Sequence, residues 1–271
     1  MTPRPIALAA AVTLLSWATS HAHEETLVSV PSRPDIEQKF LLVKPEHPVA
    51  AVILLAGGSG GMHLSSLFCV PAIARGDANF LVRTRTLFAD RGLVVAVIDS
   101  PSDHMEMNAV WRMSRNHARD IHAVVQALKT GFNLPVWVVG TSMGTFSAAN
   151  AAIRLGPEVS GLVLASSITR SPKKWDIYVG HPEGVIDMDL FKITVPTLIV
   201  AHKEDECDLT LPADAEKLKS VLAAAAKVEV KYFAGAKMPA AKPCKAQSAH
   251  GYYGIENEVV AAIADFIKSN P

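Results

Sequence analysis

The run Leu134-Pro135-Val136-Trp137-Val138-Val139 is apolar, and it passes without a break into Gly140-Thr141-Ser142-Met143-Gly144 and then into an Ala-rich segment ending at Leu155. A short continuous apolar run suits a strand buried on both faces. Residues 142–155 have helical spacing, so Ser142 sits where a buried strand turns sharply into a helix. The two glycines remove side chains that would clash in so tight a bend, and the bend projects the hydroxyl beyond the sheet edge. Amides at the start of the helix favour the negative charge that develops when such a hydroxyl attacks. GxSxG alone recurs by chance; the strand before it and the helix after it supply the setting the chemistry needs.

Outward from this point, apolar runs recur at residues 49–56, 93–98, 159–165 and 195–201, with a further strand at 228–233. Helical spacing marks residues 81–91, 116–129, 213–226 and 255–268. Residues 26–30 and 39–43 read as two short leading strands separated by a turn-prone stretch from Pro31 to Asp35. Strands alternating with helices make a parallel sheet covered on both faces. Gly92, Gly131 and Gly156 fall just past three of the helices, where a left-handed closing residue is needed. The expected fold class is α/β, with a mostly parallel central sheet of about eight strands flanked by helices.

The chain has 271 residues, within reach of one large α/β domain. Its hydrophobic content of 49% and charged content of 19% exclude a disordered chain. Lys+Arg and Asp+Glu balance at 26 each with no basic run, so no nucleic-acid partner is expected. Arg4, the apolar residues 6–15 and the small residues Ala18, Thr19, Ser20 and Ala22 form a signal-peptide pattern with a cut between Ala22 and His23. That apolar run is shorter than the roughly 20 residues a bilayer core requires, and the later ones are of strand length. The reading is residues 1–22 as a signal peptide and 23–271 as a single domain, periplasmic or secreted, with no membrane span once the signal is removed.

In these features the chain resembles the α/β-hydrolase family over nearly all of residues 23–271, with leading strands, a glycine-rich loop, the elbow at Ser142, and later acidic and histidine loops in the order nucleophile, acid, histidine. The resemblance implies an exported serine hydrolase, esterase-like or dienelactone-hydrolase-like. Asp205 lies where the family places its carboxylate, after the strand at 195–201, but Glu204, Glu206 and Asp208 crowd the same loop and Asp208 stays an alternative. Such a loop also reads as a solvated turn or a weak calcium site, although it lacks EF-hand spacing. His250, in Ser248-Ala249-His250-Gly251-Tyr252, follows the last strand and precedes the final helix. Its imidazole, with an ordinary pKa near neutrality, would take the Ser142 proton while Asp205 fixes the tautomer. The loop Ala56-Gly57-Gly58-Ser59-Gly60-Gly61 resembles the family's HGGG-type segment, with Ala56 where a histidine often stands. The implied oxyanion-hole donors are the N–H of Met143 and that of Gly58 or Ser59. The loop lacks GxGxxG spacing, so a nucleotide is not expected.

Cys207 lies two residues after the proposed acid and Cys244 six before the proposed base, so a disulfide between them would tie two catalytic loops together, and export permits the oxidation. Cys69 reads as a buried thiol, and without CxxC or Cys/His ligand spacing no metal site is expected. His117 and His122, five apart on one helix, do not face a common metal and read as surface or satisfied core residues. Asp99 ends a strand at the ligand-binding edge of the sheet, or simply makes a turn. Met105, Met107, Trp111 and Met113 form an apolar cluster that reads as core or as pocket wall, with core favoured because such residues are usually inside. Residues 166–194, where the family inserts its lid, hold Trp175, Tyr178 and His181 but little apolar periodicity, which suggests a short cover over an open cleft that suits bulky or polymeric esters better than a small, fully enclosed substrate; the expected partner is a small-molecule or polymeric ester. No cofactor is called for. The favoured activity is carboxylic-ester hydrolysis through an acyl-enzyme on Ser142. A peptidase or amidase would use the same triad, and a non-catalytic binding protein on this fold is the reading from another class.

Overall fold

The computed structural model describes residues 23–68, 70–235 and 241–271. The expected signal peptide and Cys69 lie outside the described residues. The chain opens with β1 (Glu25–Arg33), β2 (Ile36–Val43) and β3 (Ala50–Leu55), followed by a small hairpin, β4 (Ser65–Leu67) with β5 (Val70–Ala72). Then come α1 (Phe80–Arg83), α2 (Arg85–Ala89), β6 (Leu93–Ile98), α3 (Ala109–Arg112), α4 (Arg115–Phe132), β7 (Val136–Thr141) and α5 (Gly144–Leu155). The chain closes with β8 (Gly161–Ala165), β9 (Thr197–His202), α6 (Asp214–Ser220), β10 (Val228–Phe233) and α7 (Glu256–Lys268).

Eight strands form one sheet in the order β1-β2-β6-β3-β7-β8-β9-β10. The first two pair antiparallel and β2 is antiparallel to β6, while β6 through β10 run parallel. Strands β3, β6, β7, β8 and β9 are buried at every position, because helices cover both faces. Alternate side chains still divide between two cores, as the pleat requires. Ile53, Leu55, Val136 and Val138 pack with Ile121, Val125 and Phe146 of α4 and α5. Val52, Leu54, Trp137 and Val139 pack with Phe80, Phe88, Val259 and Ile263 of α1, α2 and α7.

The chain leaves β3 toward β6 on one side and later returns to β7 on the other, so the sheet's switch point lies between β3 and β7. A crevice opens outside the carboxyl ends of parallel strands at such a point. The glycine-rich loop follows β3 and the Ser142 turn follows β7.

Several boundaries differ from the sequence expectation. The leading strands are longer and turn only at Pro34 and Asp35, where Asp35 takes φ 59°. Residues 81–91 split into α1 and α2 at Thr84, whose hydroxyl donates to Phe80 O at 2.7 Å while its backbone leaves helical geometry. Gly131 does not close α4; the helix continues to Phe132, and Asn133 (φ 53°, ψ 44°) is the left-handed cap, donating its N–H to Lys129 O. Only Asp214–Ser220 of the expected 213–226 helix forms. Ala223 and Ala224 are exposed with nothing to bury, and the Ala226 N–H turns to Thr194 O instead. Of the methionine cluster, Met107 is core but Met105 is 66% exposed.

Candidate active site

Ser142 adopts φ 52°, the strained left-handed backbone of a strand-to-helix elbow. Its N–H donates to Ala165 O at 3.0 Å, and its carbonyl accepts from Thr145 N, so the turn is fixed on both sides. Helix α5 starts at Gly144 with Met143 as an N-cap that offers no side-chain hydrogen bond, and of its opening amides that of Thr145 is spent on Ser142 O. Gly57, at the start of the glycine-rich loop, lies against the elbow: a Cβ there would stand 2.9 Å from Ser142 Cβ and 3.0 Å from Thr141 O. The N–H groups of Gly58, Ser59 and Met143, the expected oxyanion donors, meet no acceptor among the described residues.

Asp205 follows β9 and is 5% exposed. Its Oδ2 lies 3.0 Å from His250 Nδ1 and accepts the Thr210 hydroxyl at 2.8 Å, while its Oδ1 accepts the Cys207 N–H at 2.9 Å. Asp208 is exposed, so the structure pairs the imidazole with Asp205. His250 sits in a short 3-10 turn, Ala249–Gly251, capped by the Ser248 hydroxyl. Its carbonyl accepts from Ser166 Oγ at 2.9 Å, and Tyr252, two residues on, donates its buried hydroxyl to Val200 O at 2.9 Å. Burial pushes the Tyr252 pKa upward, so the phenol remains a donor. Thr210, Ser166 and Tyr252 carry no motif; only their contacts reveal them.

Ser142 and His250 line one cavity of about 330 Å³, together with Gly57, Gly58, Ser59 and Asn79. No hydrogen bond joins the Ser142 hydroxyl to the imidazole among the described residues. Such bonds are often long without substrate and tighten in the complex. The cavity walls come from the loops around Gly57, Arg75 and Lys245; residues 166–194 form short turns, with Trp175 and Ile177 beside Met143 at a second cavity. Cys207 and Cys244 are joined by a disulfide that links the Asp205 loop to the segment leading to His250. Asp205, Cys207 and His250 approach one another within 4.8 Å, but Cys207 is spent in that disulfide and offers no thiolate to a metal.

The glycine-rich loop is held at both ends by groups the sequence did not single out for this task. Asp99 accepts the N–H groups of Met62, His63 and Leu64 at 2.6 to 3.1 Å. Arg112 is fully buried and donates to Ala56 O and Gly58 O, both at 3.1 Å. Burial pushes the Arg112 pKa down to about 9, which leaves it charged at neutral pH. His117 is buried too, with Nε2 2.9 Å from the Ser147 hydroxyl, and its pKa is pushed down to about 3 by burial and by the Arg112 charge. His122 instead pairs with Glu158 at the surface.

No protein-family model matches the chain, and no curated protein matches it in sequence. Among solved structures it is similar to an esterase from Pyrococcus furiosus at 14% identity and TM-score 0.65, covering 95% of this chain and 96% of that one. It is similar to a dienelactone hydrolase from Anabaena variabilis at 16% identity and TM-score 0.61, over 92% and 99% of the two chains. A proline iminopeptidase from Mycobacterium smegmatis matches at 14% identity and TM-score 0.60, over 90% and 98%. Likeness at such identity concerns the path of the backbone and not the chemistry. Joined to the sheet order and the elbow at Ser142, it shows that the chain has the α/β-hydrolase fold.

Proposed function

We propose that the protein is an exported serine hydrolase that cleaves carboxylic esters through an acyl-enzyme on Ser142. One observation carries the reading: a buried Asp205–His250 pair faces the cavity that also holds a strained elbow serine. In this reading His250 Nε2 takes the Ser142 proton as the hydroxyl attacks the ester carbonyl, and Asp205 holds Nδ1–H and stabilises the imidazolium. The carbonyl oxygen becomes an oxyanion facing the N–H of Met143 and of Gly58 or Ser59. The imidazolium then protonates the departing alcohol, and water, activated by the same imidazole, hydrolyses the acyl-enzyme. The cavity volume suits a small acyl or alcohol group, and its open wall leaves room for a longer remainder. The Cys207–Cys244 disulfide agrees with an oxidising compartment and so with cleavage of residues 1–22 as a signal peptide, the remainder acting as one domain.

A fluorophosphonate probe tests the reading. Labelling of the wild type that vanishes in Ser142→Ala supports it, and a folded wild type that stays unlabelled rejects it in favour of a binding role. Rates on aryl esters against peptide amides then separate an esterase from a peptidase built on the same triad.

A further inference from the structure

The chemistry above leaves Arg112 unused, yet this wholly buried cation sits behind the glycine-rich loop. Its partners are all neutral: Nε donates to Met107 O at 3.2 Å, Nη1 to Ser147 Oγ at 2.9 Å, and Nη2 to Ala56 O and Gly58 O. Burying a guanidinium without a carboxylate is costly, so the arrangement calls for a reason beyond packing. Two of the four acceptors belong to the loop. A third loop carbonyl, Ser59 O, accepts from Met107 N at 2.8 Å, from the segment that leads into α3. The loop also rests directly on the guanidinium, since a Cβ on Gly60 would lie 2.4 Å from Arg112 Nη2.

In a planar trans peptide the C=O and N–H point in opposite directions. Turning the Gly58 carbonyl toward Arg112 therefore turns the Ser59 N–H away from it, and Ser59 lines the cavity with Ser142. The Ala56 carbonyl does the same for the Gly57 N–H. A positive charge behind a carbonyl also polarises the peptide and strengthens its N–H as a donor. On its other side the guanidinium is bonded to Ser147 of α5, the helix that begins at the elbow, so loop and nucleophile share one anchor. Ser147 Oγ, with two lone pairs, accepts from Arg112 and also lies 2.9 Å from Nε2 of His117, whose charged form burial disfavours.

Resting on the acyl-transfer reading above, we propose that Arg112 is a positioning residue of the oxyanion hole, gripping the Ala56 and Gly58 carbonyls from behind so that the Ser59 N–H is aimed at the oxyanion. The planar guanidinium holds four acceptors at once, the two loop carbonyls, Met107 O and Ser147 Oγ, in a fixed geometry that a lysine's three donors do not match.

The test compares wild type, Arg112→Lys, Arg112→Met and, as a destabilised control on the far core, Ile263→Ala. Measured are Tm, kcat and KM on an aryl ester, and inhibition by an aryl trifluoromethyl ketone, which adds to the serine and places an oxyanion in the hole. The matching alcohol, which forms no oxyanion, is the ground-state comparison. Both Arg112 variants are expected to lose at least about tenfold in kcat and in ketone affinity together, with KM and alcohol affinity within about threefold. Ile263→Ala lowers Tm without that split. A folded Arg112→Lys with wild-type kcat overturns the proposal, as does equal weakening of ketone and alcohol. If Arg112→Met does not fold, Arg112→Lys decides. A wild type that neither hydrolyses esters nor reacts with the fluorophosphonate rejects the acyl-transfer reading itself, an outcome distinct from an active enzyme indifferent to Arg112.

Discussion

Replacing Asp205 by asparagine keeps the size of the side chain and changes only what it offers to three donors. Oδ1 accepts from the Cys207 N–H, and Oδ2 accepts from Thr210 and faces His250 Nδ1 at 3.0 Å. An amide has one acceptor oxygen. If that oxygen stays on the Cys207 N–H, the NH2 group faces Nδ1 and forces the imidazole to carry its proton on Nε2, where it cannot accept the Ser142 proton. The opposite rotamer sets NH2 against the buried Cys207 N–H and leaves a donor unsatisfied, at about 1–3 kcal/mol. The first arrangement therefore dominates, and turnover should fall by about 10⁴, as expected when this tautomer is lost. That is about 5.4 kcal/mol of barrier at 1.36 kcal/mol per tenfold. Initial rates on an aryl ester at pH 7.5 measure it, with KM as a check that the cavity is intact. Asp208→Asn, at an exposed position, should stay within about twofold. A loss under about tenfold in Asp205→Asn, or an equal loss in Asp208→Asn, would refute the assignment of the acid.

Replacing both Cys207 and Cys244 by serine opens a loop with a sequence separation of 37. In the chain-entropy model this removes about 4 kcal/mol of stability, so a change below about 1 kcal/mol in urea unfolding would show that the tether does not constrain the unfolded chain. His117, with an unfolded pKa of 6.5 and a folded one pushed down to about 3, takes up its proton first in the unfolded state. Its contribution is whole above pH 6.5 and is lost as pH falls toward 3, at up to about 1.4 kcal/mol per pH unit. His117→Gln should flatten that part of the stability curve, and an unchanged slope from pH 6.5 to 4.5 contradicts the assignment. Gly144→Ala would drive a Cβ to 1.9 Å from Leu55 O and should prevent folding or cost several kcal/mol, while Gly131→Ala, with open space around it in α4, should gain about 0.5–1 kcal/mol. Thermal melts of the pair check both, and a tolerated Gly144→Ala would mean that the elbow does not pack on β3 as described.

The strands and the elbow were legible because they follow from local rules. Residues 93–98 and 228–233 match β6 and β10 end to end, since a continuous apolar run in the first and alternation of Val230 and Tyr232 with Glu229 and Lys231 in the second are local patterns that need no knowledge of their neighbours. Helix ends were less so. Gly131 looked like a cap, but the helix runs two residues further, to where Asn133 tolerates the left-handed conformation. In the Ala-rich tail of residues 213–226, Ala223, Ala224 and Ala226 are exposed, and helix propensity alone is a weak force.

For the site, chain order marked out Ser142, Asp205 and His250 as candidates, and the spacing of Cys207 and Cys244 around them suggested the disulfide now seen. Which of four crowded carboxylates turns inward was a matter of packing: the neighbour of Asp205 is Thr210, and that of Asp208 is water-facing surface. Arg112 stood in the sequence beside Glu106 as one of two charges inside a methionine-rich stretch, and only folding brought the carbonyls of residues 56 and 58 to its guanidinium. Periodicity and motif act over a few residues, where backbone geometry repeats. The pairing of a buried polar group is set by whichever distant segment the fold lays against it, and no local pattern encodes that.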